Sequence, residues 1–91
     1  MYTAKQKDLN DYYQRWLNST ENTIYKAYSR PSRYKIAAFE RCEDIMREFD
    51  GYSLRIVGHN SSQFSAAFTT DTDFYVITKE NIYRMPLSEV K

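Results

Sequence analysis

From Leu9 the apolar residues recur at Leu9, Tyr12, Tyr13, Trp16 and Leu17, the three-and-four spacing of one stripe on an amphipathic helix. Asp8, Asp11, Gln14 and Arg15 fall on the other side, and the pattern predicts a helix over 4–17. Asn18-Ser19-Thr20 breaks the pattern and offers capping side chains, after which Ile24, Ala27 and Tyr28 resume helical spacing over 20–28. Ser29-Arg30-Pro31-Ser32 reads as a third helix start, because a proline near the first helical position gives up no hydrogen bond. That helix is the most strongly patterned of the chain. Ala38, Phe39, Cys42, Ile45, Met46 and Phe49 share a stripe, while Lys35, Glu40, Glu43, Asp44, Arg47 and Glu48 lie off it. Gly51 is expected to supply the left-handed stop.

After Gly51 the period switches from helical to alternating. Tyr52, Leu54 and Ile56 oppose Ser53, Arg55 and Val57, and Phe64, Ala66 and Phe68 oppose Ser65, Ala67 and Thr69. His59-Asn60-Ser61-Ser62, Asp71-Thr72-Asp73 and Glu80-Asn81 carry turn chemistry between the runs. Phe74-Tyr75-Val76-Ile77-Thr78 is strongly strand-prone, and Ile82–Met85 is expected to be a short edge strand that Pro86 stops. Short links favour a meander. The expected fold is a single α+β domain, its N-terminal helices packed on one face of a three- to four-stranded antiparallel sheet. Leu54, Ile56, Phe64 and Phe68 should meet the Phe39/Cys42/Met46 stripe, with Phe39 and Phe64 as core anchors.

Composition narrows the function classes. A length of 91 residues suits one core. With only two Gly and two Pro, most of the chain should be regular structure, and nine Tyr supply rings that suit both a thin core and a half-wet binding surface. Thirteen Lys+Arg against twelve Asp+Glu give a formal charge of +1, without the basic excess of a dedicated nucleic-acid binder. The single cysteine, Cys42, excludes an intramolecular disulfide or a cysteine-based zinc site and fits a reducing compartment. The start has no apolar leader core and no segment approaches a membrane-spanning run, so a cytoplasmic location without a membrane partner is expected.

The chemistry-bearing residues do not assemble into a catalytic pattern. His59 is the only histidine and sits at an expected turn, where a wet structural role is the plainer reading. Cys42 lies on an apolar stripe, where a buried thiol is inert. Glu40, Glu43, Asp44 and Glu48 alternate with Arg41 and Arg47 as ordinary helix-surface charge pairing. Asp71 and Asp73 lack the glycine and distal glutamate of a calcium loop, and there is no glycine-rich phosphate loop. Neither an enzyme nor a cofactor is therefore expected. One cluster stands out: Lys26, Arg30, Arg33, Lys35 and Arg41 interleave with Tyr25, Tyr28 and Tyr34, and Arg55 could join them from the sheet. Tyrosine with arginine is the composition of a protein-binding hot spot, and equally of a surface that stacks and neutralises single-stranded nucleic acid.

Phe39-Glu40-Arg41-Cys42 on a helix, then Gly51-Tyr52-Ser53-Leu54-Arg55-Ile56-Val57-Gly58-His59-Asn60, Phe64-Ser65-Ala66-Ala67-Phe68 and Ile77-Thr78-Lys79, resembles a group of small hypothetical proteins of phages and prophages of Gram-positive bacteria. The resemblance is one of turn and core residues, and it transfers no activity. It implies an accessory protein of a mobile element, of the kind that works by stoichiometric binding to a host machine. The resulting expectation is a non-enzymatic protein-binding module that occludes a host defence machine such as a CRISPR or restriction nuclease. Its docking residues would be Tyr25, Arg30, Arg33, Lys35, Arg55 and His59, with the sheet's open face at Arg55 and Val57. The alternative is a small nucleic-acid binder using the same Tyr/Arg patch. A homodimer would use the edge at Ile82–Met85.

Overall fold

The computed structural model describes residues 2–19, 33–60 and 63–91. The expected helix over 20–28 and the Pro31 helix start lie outside the described residues. Among the described residues two α-helices, α1 (Asn10–Asn18) and α2 (Arg33–Glu48), accompany five strands: β1 (Lys5–Gln6), β2 (Tyr52–Asn60), β3 (Gln63–Thr69), β4 (Asp73–Ile77) and β5 (Ile82–Pro86). A 3-10 turn over Leu87–Glu89 follows. Sheet order is β1-β5-β4-β3-β2. β2 to β5 form the expected antiparallel meander, and β1 adds a parallel pair on β5. The fold is α+β, with one strand more than expected and a mixed sheet.

Period-two alternation on β3 and β4 separates two cores. On one side Phe39, Cys42 and Ile45 of α2 meet Leu54, Ile56, Phe64, Ala66, Phe68, Tyr75, Ile77 and Ile82. Phe39 and Phe64 are both buried, and Cys42 sits beside them at 2% exposure. Phe68 stacks on Tyr75 at 5.0 Å between centroids, and Phe49 closes the stack 4.7 Å from Tyr75. On the other side Leu9 and Trp16 join Val57, Ala67, Phe74, Val76 and Met85. Tyr13, Trp16 and Phe74 form a second aromatic cluster, with centroids 5.1–5.7 Å apart. The helices thus divide between the two faces instead of sharing one. The small residues Ser65 and Ala67 on the second face of β3 leave room for the Trp16 side of α1, and both are buried.

α1 begins at Asn10, later than the periodicity predicts. Asp8 takes the Asn10 backbone N–H at 3.0 Å and its side-chain amide at 2.8 Å, so the chain turns there instead of continuing a helix. Those bonds, the backbone one first, hold the Asp8 carboxyl below its usual range. Upstream, Lys5 and Gln6 pair with Tyr83 and Arg84, and Lys7 N–H donates to Arg84 O at 3.0 Å. Residues of good helix propensity become a strand because β5 offers them an unpaired edge. That edge is the one assigned above to a homodimer, and β1 occupies it opposite Tyr83 and Arg84. Leu17, the last member of the expected stripe, is 48% exposed, so the buried face of α1 ends at Trp16.

The exit of α2 corrects the role of Gly51. Gly51 N–H bonds Met46 O at 2.8 Å and Asp50 N–H bonds Arg47 O at 3.1 Å, which is a Schellman ending. The residue in the left-handed region is Asp50, at φ 55, while no glycine has a positive φ among the described residues. Gly51 is needed for space: a Cβ there would overlap the Phe68 ring, lying 2.6 Å from Cε2, and sit 3.0 Å from Met46 Cγ. Glycine at 51 lets the helix end close over Phe68. Gly51→Ala should therefore lower stability by about 1–3 kcal/mol through overpacking. Asp50→Gly should be neutral or raise it by up to about 1 kcal/mol, because it relieves a left-handed Asp. Urea melts of the two variants check this, and the opposite order would return the left-handed role to Gly51.

Candidate partner-binding site

Of the residues singled out from sequence, Tyr25 and Arg30 lie outside the described residues. His59 is near the end of β2, its backbone opposite Phe64. Arg33 and Lys35 stand on the first turn of α2, Arg33 exposed and Lys35 half-buried. Arg55 does not face an open surface. Its guanidinium lies 4.5 Å from the centre of the Trp16 ring and donates to Trp16 O at 3.0 Å, with Nε buried and unpaired. Val57, its expected companion on an open face, is buried beneath α1.

Arg55 belongs instead to a latch between α1 and β2. Ser53 has φ 59 and lies where the β2–β3 register shifts, so a bulge aims its carbonyl outward. Trp16 Nε1 donates to that carbonyl at 2.8 Å, and Ser19 Oγ donates to Ile56 O at 2.7 Å. Arg55 returns a bond to the carbonyl of Trp16, which also accepts the Ser19 N–H at 3.2 Å where α1 ends. The end of α1 is thereby tied to the outermost strand of the sheet, and two carbonyls of β2 are satisfied by side chains.

A separate accessible feature lies along one flank of α2. The turn after β4 is fixed by Thr78 N–H on Asn81 O at 2.9 Å and by Asn81 N–H on Thr78 Oγ1 at 3.1 Å, which leaves Lys79 exposed at its corner. Beside this turn runs a groove of about 270 Å³ lined by Tyr34, Ala37, Ala38, Arg41, Cys42, Phe64, Ile77, Thr78 and Lys79. Helical spacing puts Tyr34, Ala37, Ala38 and Arg41 on one flank of α2. Ala38, Cys42, Phe64 and Ile77 make an apolar floor, Tyr34 is 52% exposed at one end, and Arg41 and Lys79 form the rim. Among the described residues ion pairs join Arg47 to Asp44 and Arg84 to Asp73, and neither Arg41 nor Lys79 takes part.

Tyr34 and Arg41 belong to the basic and aromatic stretch seen in the sequence. Lys79 does not, and only the meander brings it to them. Cys42 contributes to the floor without being a nucleophile, because burial raises its thiol pKa to about 12. Among the described residues no group of three or more His, Cys, Asp or Glu is placed to hold a metal ion. Nor is any helix among them long and apolar enough to cross a membrane.

Two outcomes follow from this geometry. Arg55→Ala should lower stability by about 2 kcal/mol and change the Trp16 fluorescence, since it removes a charged hydrogen bond and a ring contact. An unchanged melt would mean that the latch contributes nothing. Cys42 ionises in the unfolded chain near 9 and in the folded chain only near 12, so its contribution is complete below pH 9 and is lost as pH rises toward 12. Between pH 8 and 10 the stability of Cys42→Ala should fall less steeply with pH than that of the parent. Equal slopes would place the thiol in water.

Comparison of the chain with protein-family models, with curated proteins and with solved structures finds no match.

Proposed function

We propose that the protein is a non-catalytic binding module that acts by occupying a surface of another protein, docking through the α2 flank and the groove beside it. The observation that carries this reading is an apolar floor bordered by a half-exposed Tyr34 and by two cations that no carboxylate among the described residues pairs. An exposed tyrosine costs little entropy to immobilise, and arginine adds charge and contact area, which is why both concentrate where partners bind. Arg33 and Lys35 extend the same helix toward its N-terminus. The partner class suggested by the phage resemblance is a host defence nuclease of the CRISPR or restriction type, held by occlusion. Stoichiometric occupancy needs no reaction centre, and a net charge of +1 leaves both signs available for recognition.

The test is affinity capture from a Gram-positive host lysate by the parent chain, by Tyr34→Ala and by the Tyr34→Ala/Arg41→Glu pair. A specific host protein retained by the parent should fall about tenfold with the pair, the loss expected when a hot-spot ring and its neighbouring charge are removed. Capture that is indifferent to both changes would remove the α2 flank from the interface.

A further inference from the structure

We propose that the groove takes an acidic peptide segment of the partner, one apolar side chain entering over Ala38 and Phe64 while flanking carboxylates meet Arg41 and Lys79. This rests on the protein-binding reading above and adds the chemistry of the occupant. The argument is one of charge complementarity. Among the described residues, both ionisable side chains on the groove's rim, apart from the buried thiol of Cys42 and the hydroxyl of Tyr34, are cations, and no carboxylate lines it. The chain as a whole carries nearly equal numbers of the two signs, so this is a local segregation of charge. A neutral or basic occupant would desolvate Arg41 and Lys79 without compensation, whereas carboxylates would replace the lost water with charge-assisted hydrogen bonds.

The shape favours a chain over a compact ligand. Beyond Arg41 the surface continues into a second concavity lined by Tyr2, Thr3, Lys5, Arg41, Glu80, Asn81 and Ile82. Arg41 therefore stands between two hollows, and an extended segment can cross it while filling the first. Lys5 supplies a further cation along that path, and Glu80 is the one carboxylate beside it among the described residues. The apolar floor has room for one large side chain, and the polar second hollow does not reward another.

Full-length protein labelled with nitrogen-15 is titrated with an acetylated peptide in which a central Leu or Phe is flanked by Asp and Glu. The same peptide with Lys and Arg flanks, octanoate, and oligo(dT) serve as the other probes. The acidic peptide should shift the amides of Tyr34 to Cys42 and of Ile77 to Lys79, and bind at least about tenfold tighter than the basic one. Arg41→Glu with Lys79→Glu, both exposed positions, should invert that preference. Ala37→Phe should block the floor without changing charge, and far-UV dichroism confirms that each variant is folded. Equal binding of the two peptides, no binding of the acidic one, shifts confined to other residues, or a preference for octanoate or oligo(dT) would each overturn the proposal. If the acidic peptide fails while capture still depends on Tyr34, the occupant is wrong and the protein-binding reading stands. If capture is indifferent as well, both fall.

Discussion

β3 and β4 are buried on both sides, β4 with large apolar residues on each, and most of the molecule is arranged to keep water from both. Phe74 and Val76 face α1 while Tyr75 and Ile77 face α2, and all four are buried. A strand pair of this kind cannot sit at the surface of a two-layer fold, because one row of large side chains would remain in water at roughly 25 cal/mol per Å². α1 solves this with only nine residues. A helix so short has little stability of its own, so its position depends on Trp16, Tyr13 and the latch to Ser53, Ile56 and Arg55.

That constraint assigns the cations their different roles. Arg55 is consumed in holding α1, and Arg84 bridges Asp73 and Gln6, tying β4, β5 and β1 together. Arg41 and Lys79 are left at the border of an apolar groove, brought together by a helix and a hairpin turn that are distant in sequence. Segregated charge next to an accessible apolar floor is the feature on which the proposed binding role rests. The bulge at Ser53 serves the same division. It twists the outer edge of β2 and lends its carbonyl to Trp16, which blunts an edge that would otherwise invite indiscriminate pairing.

Much of this was legible in the residues themselves. The Phe39-to-Phe49 stripe, the alternation after Gly51 and the meander of short links gave the class, the core anchors and the burial of Cys42. The division of the helices between faces was also written there, in the continuous apolar run Phe74-Tyr75-Val76-Ile77, which is the mark of a strand covered twice. Strand propensity alone does not carry that implication. β1 was not legible, since Lys5 and Gln6 have no strand signal and are ordered only by the waiting edge of β5. The left-handed role expected of Gly51 falls to Asp50 because glycine, though the commoner left-handed residue, has another use, close approach to a ring, that depends on tertiary packing. Arg55 was placed on an open face because composition alone does not reveal that a cation is stacked on an indole.

The claim on which the account depends most is that α1 belongs to the core and does not merely lie on it. Native-state amide exchange measures this directly by comparing α1 amides such as Tyr13, bonded to Leu9 O at 2.8 Å, with those of β3 and β4. The account predicts that the slowest α1 amides open with nearly the same free energy and denaturant dependence as Ala67 and Val76. A helix that exchanges by its own low-energy opening, while the sheet stays protected, would contradict it.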